Sequence, residues 1–201
     1  MTGRYLVVFA ALAAVLPIGA CAHVATNGSA APAAEHSLAE YLPLAVGNRW
    51  TYQTSFQGQP QADLVVEIVK RRGDVFIDNR PRPSHLTIDG QGIRDGNRRY
   101  LLKAPLATGT RWMSVADVRT VEHYRILEVG RKVTVPAGNF DDCVVVRMEV
   151  RLNEKRAVQN DMTFAPGVGI VRIATRLLDG SREIPQADMR LKDVKLAASG
   201  R

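Results

Sequence analysis

The sequence from Val133 to Leu152 reads VTVPAGNFDDCVVVRMEVRL. From Val144 onward its even positions are apolar, whereas the odd positions after Val145 are charged. Alternation with a period of two is typical of a strand that buries one face and exposes the other to water. The stretch therefore predicts a half-buried strand with which the rest of the chain pairs. The predicted inward positions are Val144, Val146, Met148, Val150 and Leu152, and the outward ones are Val145, Arg147, Glu149 and Arg151.

Further short segments with strand-like alternation lie on both sides of this stretch. Asp-Gly pairs at residues 89–90, 95–96 and 179–180 are hairpin signals, because glycine adopts positive φ at little cost. No segment after the N-terminus keeps a helical period, and the connections are too short for parallel crossovers. The predicted strands are Arg49–Gln57, Ala62–Arg71, Val75–Asp78, His85–Ile88, Arg98–Leu102, Trp112–Val115, Thr120–Val129, 158–164, Val171–Leu177 and Met189–Leu196, with Gly130 as a turn.

The predicted fold class is therefore mainly β. We expect a single antiparallel, strongly curved sheet, either a half-barrel or barrel-like, because a sheet with one apolar face must cover that face. A signal-peptide helix and a flexible tether are expected to precede it. The gap or mouth of such a sheet could hold an apolar ligand.

An eight-residue motif occurs twice. Pro43–Trp50 reads PLAVGNRW and Pro105–Trp112 reads PLATGTRW, with six of the eight positions identical. In each copy Pro and Gly shape a loop, and the Trp opens the next predicted strand. The repeat predicts two related halves that each place one Trp in a shared core. The predicted core residues singled out by the sequence are Trp50, Trp112, Phe140 and Cys143.

Composition limits the broad class of the protein. The chain has 201 residues, of which 46% are hydrophobic, and this favours one globular domain over intrinsic disorder. The formal net charge is +7, but no long run of Lys and Arg concentrates it. Nucleic-acid binding is therefore not predicted.

The first 20 residues have the features of a signal peptide. Arg4 gives a positive start, and the apolar segment Leu6–Val15 is shorter than the roughly 20 residues that span a bilayer. Ile18-Gly19-Ala20-Cys21 resembles the lipobox of bacterial lipoproteins, in which the cysteine is acylated and becomes the first mature residue. Cleavage after Ala22, as in an ordinary secretory signal, is the alternative and would remove Cys21.

The lipobox interpretation fixes the domain organisation and the location. It predicts a signal peptide over residues 1–20, a lipid-anchored tether over 21–38 and a β-rich domain over 39–198. Ala22 follows the cysteine where an inner-membrane retention signal would place Asp, so we expect an outer-membrane anchor facing the periplasm. Membrane attachment would run through acylated Cys21.

Candidate catalytic groups are few. Asp141 and Asp142 could act on a proton or a metal, but neighbours in a strand point to opposite faces. Cys143 abuts three valines and is predicted to be a small core residue rather than a nucleophile. No metal-ligand spacing and no cofactor-binding motif occurs, so no metal and no cofactor is predicted. Five basic positions could face anionic lipid or polysaccharide, or could simply form the wet face of the sheet: Arg94, Arg98, Arg99, Lys103 and Arg111.

Four motifs together carry a resemblance to a known group. They are LPLAVGNRWTY at 42–52, LLKAPLATGTRW at 101–112, VTVPAGNFDDCVVV at 133–146 and FAPGVGIVR at 164–172. This combination resembles uncharacterised bacterial lipoproteins labelled TapB-like. The resemblance implies a β-rich cell-envelope domain with no established enzymatic role, and it supplies no catalytic residues.

Three functional hypotheses follow. The first is a non-enzymatic, lipid-anchored module that binds an apolar ligand or an envelope partner protein. The second is a structural or assembly accessory that works through sheet edges. The third, and least favoured, is an enzyme centred on Asp141, Asp142 and Cys143.

Overall fold

The structure, a computed structural model, describes residues 36–96, 99–117 and 120–197. All of them belong to one compact unit, Pro32–Arg201. The predicted signal peptide, Cys21 and most of the predicted tether lie outside the described residues. Within the described part of the chain, no helix is long and apolar enough to span a membrane.

Twelve antiparallel strands form one sheet, which confirms the predicted fold class. In space the order is β6-β5-β4-β3-β2-β1-β12-β11-β10-β9-β8-β7, so every neighbour except the β1–β12 pair is also a neighbour in sequence. The strands are β1 Arg49–Phe56, β2 Gln59–Arg72, β3 Val75–Asp78, β4 His85–Asp89, β5 Gly92–Asp95, β6 Arg99–Lys103, β7 Arg111–Asp117, β8 Thr120–Val135, β9 Gly138–Arg151, β10 Arg156–Ala165, β11 Gly169–Asp179 and β12 Arg182–Lys195.

The first and last strands pair in the middle of the sheet. Arg49 of β1 lies opposite Lys195 of β12, and the register continues to Phe56 opposite Ala187. The two ends of the sheet are consequently β6 and β7, which follow one another in the chain. The sheet curls until these two strands lie near each other, giving a nearly closed barrel. The gap between β6 and β7 is called the seam below.

The stretch Val133–Leu152 forms the end of β8 and all of β9. Val144 and Val146 are fully buried, as predicted. Two positions differ from the prediction. Val145 is also buried, beside the buried Thr163 of β10. Leu152 is 56% exposed, because β9 ends one residue before it and the chain bends into β10 at residues 153–155.

The predicted turn at Gly130 is wrong. β8 runs through this residue to Val135, and Gly130 has φ of 80° at a shift in register between Glu128 and Arg131. Glycine's freedom at positive φ serves a bulge as well as a turn. The chain reverses later, at Pro136 and Ala137.

The repeated motif makes the same backbone contacts in both copies. Gly47 N–H donates to Ile68 O at 2.8 Å, and Gly109 N–H donates to Ile126 O at 2.9 Å. Both glycines have φ of 93°. Each loop thereby attaches to the second strand of the hairpin that it precedes, where Ile68 and Ile126 are fully buried.

Even a position that differs between the copies keeps its role. Asn48 Nδ2–H donates to Pro43 O at 2.8 Å, and Thr110 Oγ1–H donates to Pro105 O at 2.9 Å. Asn and Thr side chains both favour such local bonds to the backbone. The two loops therefore reach one geometry with different side chains.

Candidate functional site

A cavity of about 240 Å³ lies on the concave side of the sheet. Its volume is slightly below the roughly 300–1,000 Å³ of common small-molecule sites. Trp50 Nε1–H donates to Val168 O at 2.7 Å, and the Tyr52 hydroxyl donates to Ile170 O at 2.9 Å. These bonds satisfy the polar atoms of the two side chains, so their rings contribute apolar surface to the cavity wall. The apolar lining is Leu42, Trp50, Tyr52, Val66, Ile68, Leu86, Leu101, Tyr124, Met148, Met162, Ile170, Ile173 and Met189.

One polar group in the cavity wall is built around Asp78. Its side chain is fully buried and accepts hydrogen bonds from Arg80 Nε at 2.8 Å and from the backbone N–H of Arg80 and Ser84. Arg80 also donates to the Ser84 hydroxyl. The buried carboxylate is thus paired and hydrogen-bonded, as a buried charge must be.

A second polar group is centred on Arg99, at the edge strand β6. Its Nη2 donates to Asp95 at 2.7 Å and its Nη1 donates to Glu122 of β8 at 3.1 Å. The Tyr124 hydroxyl donates to the other Glu122 oxygen at 2.8 Å. Burial, followed by this hydrogen bond, raises the pKa of Tyr124, so the hydroxyl stays a donor. Arg99 Nε is buried and has no acceptor among the described residues.

Side chains rather than a backbone ladder close the seam. Among the described residues no strand pairing joins β6 to β7. Instead, Trp112 Nε1–H of β7 donates to Tyr100 O of β6 at 2.9 Å. The Trp112 ring stacks on Tyr124, with centroids 5.2 Å apart and planes 7° apart. The Trp112–Tyr100 hydrogen bond and the Arg99–Glu122 ion pair hold the two edges of the sheet together.

The four predicted core residues lie at different depths. Trp50, Trp112 and Cys143 are 3%, 7% and 0% exposed, respectively. Phe140 is only partly buried and packs against the core from its margin. Trp50 lies in β1, in the half of the sheet formed by β1 to β6, and Cys143 lies in β9, in the half formed by β7 to β12.

The two carboxylates of the Asp141-Asp142-Cys143 cluster contact different partners. Asp141 is exposed and lies 3.4 Å from Lys132 Nζ. Asp142 has φ of 54°, its carboxylate is 3.8 Å from His36 Nε2, and its carbonyl accepts the Tyr41 hydroxyl. No group of three or more potential metal ligands occurs in the described ranges.

The Cys143 thiol is poorly suited to nucleophilic chemistry. Burial raises its pKa to about 11, and the nearby charges of Asp141 and Asp142 act in the same direction. Its Sγ lies 3.7 Å from Phe140 O and 3.6 Å from Asp141 O. A catalytic cysteine needs the opposite environment, with a base or a positive charge that lowers the pKa.

We therefore expect Cys143 to be unreactive in the folded chain. Ellman's reagent at neutral pH should modify it only after unfolding in guanidinium chloride, because both burial and the high pKa suppress the thiolate. The chain has two cysteines. If Cys21 is acylated, protein extracted from bacterial membranes should show one reactive thiol per chain after unfolding. Rapid modification of Cys143 without denaturant would contradict the expectation.

The four of the five basic positions that the structure describes do not form one surface. Arg94 lies 3.4 Å from Asp89, Arg99 belongs to the seam, and Lys103 lies over the Tyr100 ring. Arg98 lies outside the described residues. Of the four described positions, Arg111 alone faces an outer groove of about 830 Å³ that is open to solvent. Most of its neighbours there come from β8 and β9, and strand register rather than sequence proximity brings them together.

Comparisons with known proteins give weak similarities. No protein-family model matches the chain, and no curated protein matches it. Similar solved structures include a candidate lipoprotein from Parabacteroides distasonis ATCC 8503, which is 13% identical, with 77% of this chain and 98% of that chain covered at a TM-score of 0.45. The hypothetical lipoprotein YmcC from Escherichia coli K12 is 13% identical, with 81% and 90% covered at a TM-score of 0.40. Similarity at this level carries no argument about family or function, and the TapB-like resemblance is not confirmed.

Proposed function

We propose that this chain is a lipid-anchored, non-enzymatic lipoprotein of the bacterial outer membrane, facing the periplasm, whose barrel binds one small ligand with an apolar body. The observation that carries the binding role is the cavity of about 240 Å³ with its largely apolar wall. The lipobox at Ile18–Cys21 supports the anchor, and the TapB-like motifs agree with an envelope location. The fold itself does not determine the function.

The polar groups of the cavity indicate the chemistry of the ligand. Arg99 Nε is a buried donor without an acceptor in the described structure, and leaving such a donor unsatisfied costs about 1–3 kcal/mol. A ligand oxygen could satisfy it. The lining carboxylates of Asp78 and Asp95 already pair with the two lining guanidinium groups, Arg80 and Arg99, so the described wall offers no unpaired positive charge to an anionic ligand. An uncharged acceptor, such as an ester carbonyl or a hydroxyl, fits better than a carboxylate.

The side-chain chemistry around the cavity favours binding over catalysis. Ser84, which lines the cavity, is hydrogen-bonded to Arg80 and has no histidine partner among its described contacts. Cys143 is not among the lining residues and has a raised pKa. The lining methionines, Met148, Met162 and Met189, are flexible and polarizable, which suits an adaptable apolar site.

The sheet-edge hypothesis is less favoured by the geometry. A protein that recruits partners by strand addition needs an accessible edge. Here β6 and β7 face each other across the seam, and Trp112 and Arg99 hold them together. An added strand would have to displace these contacts first.

Filling the cavity is the direct test of ligand binding. Met148→Trp places a larger side chain in the cavity, and we expect it to weaken binding of the uncharged fluorescent probe N-phenyl-1-naphthylamine at least about tenfold, the equivalent of 1.4 kcal/mol. Met113→Trp is the matched control, because Met113 is 68% exposed on the outer face. Equal probe affinity in both variants and the wild type would contradict the proposal.

The anchor has a separate test. Intact-mass analysis of the full chain, expressed in bacteria and extracted from membranes, should give a mature chain that begins at Cys21 with three acyl groups. Native mass spectrometry of the same preparation should detect a co-purified ligand. An unmodified N-terminus at Ala22 or His23 would disprove the anchor while leaving the cavity proposal intact.

A further inference from the structure

Three arginines lie side by side on the outer face of the sheet. In the β7–β8 ladder Arg111 is directly opposite Arg125, and in the β8–β9 ladder Arg125 is directly opposite Arg147. We call these residues the arginine row. Like charges that face each other directly across strands destabilise a sheet. Negative charge placed at the row is therefore stabilising.

Only one member of the row is compensated within the described chain. Arg147 binds Asp161 of β10 through two hydrogen bonds of 2.7 and 2.8 Å. Arg111 and Arg125 are exposed and form no ion pair with any described carboxylate. Glu149, which lines the same outer groove, accepts a hydrogen bond from Gln159 instead. Two guanidinium groups are thus available to an external anion.

The same hairpin exposes apolar side chains beyond the row. Val115 lies directly opposite Val121, and these side chains are 67% and 42% exposed. Met113, between the valine pair and the row, is 68% exposed. Val115 lies four positions after Arg111, or roughly 14 Å farther along the strand. The outer face of the hairpin is therefore basic at one end and apolar at the other.

We propose that this face of the β7–β8 hairpin docks onto an anionic phospholipid surface. Arg111 and Arg125 bind lipid phosphates, and Val115, Val121 and Met113 enter the interfacial region. A basic cluster beside an apolar one is the combination that favours an anionic bilayer surface. A soluble polyanion would use the arginines but would leave the valine pair exposed to water. The contact is additional to the acyl anchor, and its effect is to orient the domain.

Depth-dependent fluorescence quenching tests the orientation in the full chain. A Met113→Cys variant is labelled with an environment-sensitive fluorophore and reconstituted into vesicles that contain doxyl-labelled lipid. In phosphatidylethanolamine–phosphatidylglycerol vesicles we expect several-fold stronger quenching than in phosphatidylcholine vesicles. Phe56→Cys, at a site on β1 where the native side chain is 48% exposed, is the matched label position and should show little quenching in either.

Charge variants test whether the arginine row causes the docking to anionic lipid. Arg111→Gln with Arg125→Gln should weaken the docked state roughly 30-fold, since each basic residue near an anionic surface contributes a factor of about 5 to 6. Arg71→Gln with Arg72→Gln removes the same charge from the exposed end of β2 and should leave quenching unchanged. Equal quenching in both lipid mixtures, at both label positions or in both charge variants would overturn the proposal.

Discussion

Trp112→Ala is expected to lower the free energy of unfolding by about 3–5 kcal/mol, as for other buried aromatic residues. The side chain is 7% exposed, stacks on Tyr124 and donates the hydrogen bond that links β7 to β6. Its loss removes packing and the seam contact together. Urea denaturation monitored by circular dichroism measures the change.

Two companion variants separate packing from the seam. Trp112→Phe keeps the stacking but removes the Nε1–H donor, and should cost about 1–3 kcal/mol. Trp50→Ala removes an equally buried Trp whose hydrogen bond goes to Val168, away from the seam. Only the Trp112 variants should speed native-state amide exchange in β6 and β7 relative to β10 and β11. The same exchange pattern in Trp50→Ala would show that Trp112 has no special role at the seam.

Glu122→Gln is expected to have the second large effect and to lower the free energy of unfolding by about 2–4 kcal/mol. Glu122 is 5% exposed and accepts hydrogen bonds from Arg99 and Tyr124. Removing one partner of a buried ion pair costs about 3–5 kcal/mol, because it leaves the other charge unpaired. Arg99 is one-third exposed and keeps Asp95, so the expected loss is smaller than that range and overlaps only its lower part.

A double-mutant cycle checks that the loss comes from the Arg99–Glu122 pair. Arg99→Met with Glu122→Gln should be less destabilised than the sum of the single variants. Arg172→Met, on the outer face beside Asp188, is the control partner for Glu122→Gln, and its effect should be additive. Additivity in the Arg99 cycle would show that the pair does not stabilise the seam.

Local sequence patterns predicted the strands well where side chains alternate and where turns are short. β3 and the start of β1 match the predicted bounds, because a Gly or Pro marks each nearby turn. The path through Gly130 was not predictable in this way, since a bulge and a turn use the same glycine conformation. The strand Gly92–Asp95 is four residues long and gave no alternation of its own.

The candidate site depends on contacts that local patterns do not contain. Glu122 and Arg99 are 23 residues apart and meet because the sheet curls. Arg111 faces Arg125 because of one particular register, and a different register would separate them. The two tryptophans, by contrast, could be found in the sequence, since each ends a copy of the same motif.

The seam has a kinetic consequence for the barrel. Eleven backbone ladders join the twelve described strands, and separating β6 from β7 breaks none of them. Among the polar contacts of the described residues, lateral opening there breaks one indole hydrogen bond and one ion pair. Transient separation of neighbouring strands should therefore occur mainly at the seam. The residence time of a molecule bound in the cavity should depend more on Trp112 and Arg99 than on the strands of the rest of the barrel.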